Sequence, residues 1–179
     1  MSRRPPLTGT PEDTETVVLR PGDIHFGGGN TRISTLLGSC VSITLWHPHK
    51  RIGGMCHYMM AGRSRPLDGA GHELDGRYAT EAFAFFLLHI ERTDTRPSEY
   101  QAKLFGGANM FGGKPDTRFD VGKSNIEFAR QLLVSHQIPL VAEHIGGSGR
   151  RKLHFDLWSG NVWLSFPEGS GAMIRNGNG

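Results

Sequence analysis

The chain has little cysteine, two residues in 179. That scarcity excludes a disulfide framework and, in a reducing compartment, leaves both thiols free to pack, to ligate a metal or to react. Long apolar runs are also missing. The longest, "AFAFFLLHI", is too short to span a bilayer, and the opening "MSRRPPLTGTPEDTET" has charge and proline without the apolar centre of a leader. We therefore expect a cytoplasmic protein with no membrane insertion. Aromatic residues make up only 9%, and the net charge of +3 is scattered, with one tight basic run, "GRRK", from Gly149 to Lys152. A nucleic-acid binder gathers its positive charge on one face and interleaves aromatics with it, so nucleic acid is not an expected partner; a solvated face or an acidic protein partner explains the charge as well.

Glycine is abundant, at 25 residues, and clusters in loop-like stretches rather than spreading as it would in a disordered composition. With an apolar fraction of 37%, the length suits one compact core with rich loops. We expect a disordered arm over residues 1–16, one domain over 17–167 and a flexible tail over 168–179.

Hydrophobic periodicity outlines the elements. "ETVVLRPGDIHF" reads as a short strand broken at Pro21-Gly22, and "CVSITLW" followed by the turn "HPHK" and "RIGGMCHYMM" reads as a β-hairpin over Cys40 to Met60. "RYATEAFAFFLLHIERT" reads as a helix with Tyr78, Ala82, Phe85, Phe86 and Ile90 as its apolar stripe. A second helix is signalled by "SNIEFARQLLVSH", where Ser124 and Glu127 have capping-box spacing and Ile126, Ala129, Leu132 and Leu133 face inward. "QAKLF" and "IPLVAEHI" are strands, and "KLHFDLW-SGN-VWLSF" is a hairpin with a Ser-Gly-Asn turn. Strands before, between and after two main helices imply an α/β fold, a layered domain with a mixed β-sheet.

The first hairpin serves as a ruler. With His47 to Lys50 as its loop, Trp46 opposes Arg51 and Cys40 falls directly opposite His57, with Cβ atoms roughly 4.5–5.5 Å apart. Alternation then sends Val41, Ile43, Leu45, Ile52 and Cys56 to the other, apolar face. Cys56 becomes a small core hydrophobe and Cys40 the chemical thiol. A neighbouring imidazolium would lower the thiol pKa, and main-chain N–H groups around Ser39 and Cys40 could hold an oxyanion. Two other readings stand beside this one. A single Cys/His pair is commonly packing, and His47, His49, Cys56 and His57 could be weighed as zinc ligands, although the turn histidines sit at the far end of the hairpin and adjacent Cys56 and His57 point apart. "GANMFGGKP" approaches a phosphate-binding loop but has Ala108 where glycine is required and Pro115 where Ser/Thr would hold magnesium. We expect no metal and no cofactor.

Several motifs in order, "LLGSCVSITLWHPHKRIGGMCHYMM", "RYATEAF", "AKLFGGANMF", "VGKSNIEFARQLL" and "VAEHIGGSGRRKLHFDLWSGNV", resemble the CheD family of chemoreceptor glutamine deamidases, over about residues 17–166. The resemblance implies hydrolysis of glutamine side-chain amides in methyl-accepting receptor cytoplasmic helices to glutamate and ammonia, with some methyl-ester hydrolysis also credited to the family. It implies Cys40 as nucleophile and His57 as its base. The family's third member, a threonine six residues before the cysteine, falls on Ser34, with Thr35 next door; strand alternation aims only one of them at the site. A CheC-type phosphatase is a further partner implied by the resemblance. A non-catalytic adaptor for receptor or phosphatase, and a thiol hydrolase of small amides such as free glutamine, are the competing functions.

Overall fold

The computed structural model describes residues 9–63, 73–110, 120–167 and 172–174. In chain order the elements are β1 (Glu15–Leu19), β2 (Ile24–Gly28), β3 (Thr31–Leu37), β4 (Val41–His47), β5 (Ile52–Cys56), α1 (Ala79–Arg92), β6 (Gln101–Gly106), α2 (Val121–Ser135), β7 (Leu140–Ile145), β8 (Arg151–Asp156), β9 (Val162–Ser165) and β10 (Ala172–Ile174). The layered, mixed α/β architecture with two main helices is as expected from the sequence, but there are two five-stranded sheets rather than one. Sheet 1 runs β1-β3-β8-β9-β10 and sheet 2 runs β2-β5-β4-β6-β7. Each is mixed because one edge strand is parallel to its neighbour: β1 beside β3, and β7 beside β6.

Pro21-Gly22 does more than break a strand, since β1 and β2 on its two sides belong to different sheets. The ordered chain also reaches past both expected boundaries. Glu15 and Thr16 already pair with Thr31 and Arg32, and Ala172–Ile174 pairs with β9. The rest of the expected arm and tail lies partly outside the described residues.

Two cores follow from alternation along the strands. Val41, Ile43, Leu45 and Cys56 project from sheet 2 toward α1 and α2, where they meet Ala82, Phe83, Phe86, Ile126, Ala129 and Leu133. Trp46, Met55 and Phe105 project the other way and pack against Ile33, Leu37, Leu153 and Phe155 of sheet 1. The layers are therefore helices, sheet 2 and sheet 1. In α1 it is Phe83 that is buried, while Phe85 of the expected stripe is only partly covered. α2 begins three residues before Ser124: Asp120 is its N-cap, with Oδ1 accepting from the Lys123 N–H at 3.0 Å. An aspartate cap satisfies an orphan amide as a serine would, and it competes successfully here because Gly122 must pack on the Gly107 backbone. The last hairpin connects Asp156 to Val162 through Leu157 to Asn161, longer than Ser-Gly-Asn, because the Asp156 carbonyl closes the turn by accepting from the N–H groups of Ser159, at 3.3 Å, and Gly160, at 2.7 Å. Among the described residues no helix is long and apolar enough to cross a membrane.

Lys103 is an exception to the apolar filling. It pairs with Thr44 and is buried between the sheets, and its Nζ donates to the carbonyls of Gly160, at 2.8 Å, and Ile174, at 3.2 Å. Burial lowers its pKa from 10.5 to about 7. Between those values the unfolded chain binds a proton that the folded protein has released, so stability should rise with pH across that window, with the full penalty below it. Urea denaturation should show a midpoint that climbs from about pH 7 to about pH 9 in the parent protein and stays nearly level in Lys103→Met. Parallel profiles for the two proteins would exclude Lys103 as the source.

Candidate active site between the two sheets

The site forms where β4 begins and β5 ends. The turn joining them is held by His47, whose carbonyl accepts from the Arg51 N–H at 2.8 Å and whose Nδ1 accepts from the Lys50 N–H at 3.2 Å. Arg51 closes the turn in the left-handed region at φ 52. His47 is thereby kept in the strand opposite Ile52, and Trp46 opposes Gly53 rather than Arg51. The register differs by two residues from the one read off the sequence.

A shift of two preserves the face. Beyond the regular ladder Val41 and Tyr58 exchange backbone bonds of 3.1 and 3.0 Å, so the residue across from His57 is Ser42, and Cys40 stands one diagonal step away instead of directly opposite. Diagonal neighbours on one face have Cα atoms roughly 7–8 Å apart, within reach for a thiol and an imidazole. Cys40 is half-buried against the core between the sheets. Cys56 is fully buried in the helix-side core, where its Sγ lies 3.8 Å from the Ile43 carbonyl and burial pushes its pKa up to about 12. The division of the two cysteines between faces matches the strand alternation. The same alternation turns Cys56 and His57 apart, and His47 and His49 remain at the turn, so the four residues weighed for zinc do not converge.

His57 continues β5 along β2, with its N–H donating to the Asp23 carbonyl at 3.1 Å and its carbonyl accepting from the Gly22 N–H at 2.7 Å. Its ring crosses to sheet 1, where Nδ1 lies 2.8 Å from Thr35 Oγ1. Thr35 shares the inward face of β3 with Ile33 and Leu37; Ser34 points to the opposite face, at the register position of His154. The hydroxyl that meets His57 is therefore that of Thr35.

Thr35 Oγ1 is also 2.9 Å from the Leu19 carbonyl of β1. A carbonyl can only accept, so the single hydroxyl proton goes to Leu19, and Thr35 Oγ1 must accept from His57. Nδ1 consequently carries the imidazole proton and Nε2 keeps its lone pair. Burial lowers the His57 pKa to about 4, against the opposing pull of Asp23. Burial also raises that of Cys40, partly offset by its own backbone N–H. The resting pair is thus a neutral thiol and a neutral imidazole rather than the ion pair expected from the sequence, because a half-closed slot between sheets disfavours both charges.

The glycine loops gather around Cys40. Its carbonyl accepts from the Gly107 N–H at 2.9 Å, Gly38 accepts from Ala108 at 3.1 Å, Gly106 accepts from Gly146 at 2.8 Å and Gly147 accepts from Asn109 at 2.9 Å. Gly106, at φ 109, lies so close that a Cβ there would run into the Cys40 carbonyl. Arg151, buried at the start of β8, donates to the carbonyls of His144 and Gly146 and ties the loop after β7 down. The Ser39 and Cys40 amides have no carbonyl partner among the described residues and remain available as donors. Sequence reading missed Leu19, Gly22 and Asp23, which act through backbone atoms and leave no side-chain signature. It also missed Arg151, whose basic run reads as surface charge.

A half-buried thiol, an imidazole with a free Nε2 on the same face, and a hydroxyl fixing that imidazole's tautomer are the parts of a cysteine hydrolase of triad type. The chain belongs to the CheD family. The sequence model described as "CheD chemotactic sensory transduction" matches residues 60–166. A protein of Dechloromonas aromatica named "Probable chemoreceptor glutamine deamidase CheD 3" is 60% identical over 173 residues, 97% of this chain and 100% of its own length. Similarly named proteins of Pseudomonas savastanoi pv. phaseolicola and Chromobacterium violaceum are 47% and 46% identical, over 87% and 90% of this chain and 86% and 83% of their own.

A neutral resting pair has a direct signature. Iodoacetamide should label Cys40 in preference to Cys56 in the native protein, at a rate that keeps rising through pH 9.0, the ordinary thiol value. A plateau already reached near neutrality would mean a preformed thiolate–imidazolium pair. Nitrogen NMR of the imidazole should show His57 as the Nδ1–H tautomer down to about pH 4.

Proposed function

We propose that this protein hydrolyses the side-chain amide of glutamine residues in chemoreceptor cytoplasmic helices, giving glutamate and ammonia. The single observation that carries the chemistry is the Leu19–Thr35–His57 chain of hydrogen bonds, which leaves Nε2 of His57 as a base on the face that Cys40 shares. The substrate class rests on family membership and on the names of the full-length relatives.

In this mechanism Cys40 Sγ attacks the glutamine carbonyl carbon while Nε2 of His57 takes the thiol proton. The carbonyl electron pair moves to oxygen, and the amides of Ser39 and Cys40 stabilise that oxyanion. Collapse of the tetrahedral intermediate breaks the C–N bond, and His57 returns the proton to nitrogen so that ammonia departs. Water then attacks the thioester, losing a proton to Nε2. The C–S bond breaks, the glutamate carboxyl forms and the thiol is restored. No step requires a metal or an organic cofactor. Thr35 acts throughout as the acceptor that holds the imidazole tautomer. A CheC-type phosphatase is the second partner we would expect at this face, through the family resemblance alone.

Incubation with a helical receptor fragment and peptide mass measurement of glutamine-to-glutamate conversion tests the proposal. Cys40→Ala should abolish conversion, Thr35→Val should reduce it by roughly tenfold or more through the misplaced base, and Ser34→Ala should stay within about twofold. In kcat/KM the acid limb should fall near pH 4, where His57 charges. Undiminished turnover by Cys40→Ala would overturn the mechanism, and receptor binding by the parent protein without conversion would favour the adaptor role.

A further inference from the structure

Nine large hydrophobic side chains are exposed among the described residues, and four of them stand at the end of the sheets where Cys40 lies: Met59 at 40%, Met60 at 47%, Met110 at 39% and Val121 at 56%. Met110 lies over the glycine two residues before the nucleophile, with Sδ 3.3 Å from where a Gly38 Cβ would stand. Met59 and Met60 leave the strand just after Tyr58, the partner of Val41. They are fixed by the Asn125 amide on the Met59 carbonyl at 2.8 Å and by the Arg77 carbonyl, which accepts from the Met60 N–H at 3.0 Å. Val121 opens α2 beside Gly122, which packs on the same Gly107 whose N–H holds the Cys40 carbonyl. The backbones of Met59 and Met60 are held in place and Val121 sits in a helix, while all four side chains stay exposed.

Two cations flank this apolar rim. Lys123, in the first turn of α2, and Arg150, in the loop after β7, are exposed, and neither takes part in an ion pair among the described residues.

We propose that Met59, Met60, Met110 and Val121 form a docking rim for the apolar flank of an acidic amphipathic helix whose polar edge presents the target glutamine to Cys40. This rests on the deamidase reading of the site and adds to it the feature that selects the substrate helix. A glutamine side chain is short, so a helix delivering its amide to Cys40 brings its neighbours three and four residues away against whatever surrounds the thiol. Those surroundings are apolar, and α2 and the loop after β7 add Lys123 and Arg150, neither in an ion pair among the described residues, which suits apolar residues beside the glutamine and carboxylates beyond them. Methionine is unbranched and adaptable, so one rim can accept several helices that differ in their flanking residues.

Binding and turnover separate this proposal from the reading beneath it. Fluorescence anisotropy would follow a labelled acidic amphipathic helical peptide containing one glutamine, with Cys40→Ala protein as receiver. Adding Met59→Ser, Met60→Ser and Met110→Ser together should weaken binding at least about tenfold. On protein retaining Cys40, the same triple change should raise KM by a similar factor, leave kcat within about threefold and leave the iodoacetamide rate of Cys40 unchanged, which reports an intact site. Replacing the peptide's apolar residues at three- and four-residue spacing with serine should cost the parent protein the same factor and cost the triple variant little more. Binding unchanged by the methionine substitutions, or equal sensitivity of both proteins to the peptide change, would overturn the rim. Binding that follows the rim without any conversion by the parent protein would overturn the deamidase reading and leave the rim standing.

Discussion

The Thr35 hydroxyl has one proton to give, and it gives it to the Leu19 carbonyl. That constraint sets the state of everything downstream of it. Because Oγ1 can then only accept, the nitrogen facing it must be protonated, and the other imidazole nitrogen keeps its lone pair. The bond joins three strands of two sheets: Leu19 on β1 and Thr35 on β3 belong to sheet 1, while His57 prolongs β5 of sheet 2. Misalignment of the sheets by one residue would put Ser34 or Leu36 against the imidazole and lose either the face or the hydroxyl.

Burial supplies the second half of the chemistry. Burial penalises charge on His57 and on Cys40 alike, so the resting site is neutral, and in the proposed mechanism charge would develop only as the thiol attacks. In the same proposal that charge would be met by backbone rather than side-chain donors, the amides of Ser39 and Cys40, which have no carbonyl partner among the described residues. The glycine loops press close enough to hold the Cys40 carbonyl. Buried Arg151 and Lys103 are part of the same economy. Each satisfies carbonyls that loops or turns would otherwise leave unpaired between the sheets, and Lys103 does so with a depressed pKa.

The reading of the hairpin shows why part of the site was legible and part was not. Its assumed register was wrong by two residues, since His47 caps its own turn from within the strand. Side-chain direction has a period of two, so the error moved Cys40 from opposite His57 to diagonal without changing its face, and the separation of Cys40 from Cys56 held. The same tolerance did not extend to helix starts. Ser124 and Glu127 have capping-box spacing, yet Asp120 caps α2, because Gly122 must reach the Gly107 backbone.

Alternation, glycine placement and the spacing of Cys40 and His57 are local properties, and the sequence by itself determined them: the layered α/β class, the face each cysteine takes, and the common face of Cys40 and His57. Only the tertiary structure decided that two sheets face each other, that Thr35 rather than Ser34 meets His57, and that Leu19 dictates the tautomer. Those contacts join residues of different sheets through a parallel edge strand and a backbone carbonyl. Neither feature has a side-chain pattern in the sequence, because any residue can supply a carbonyl.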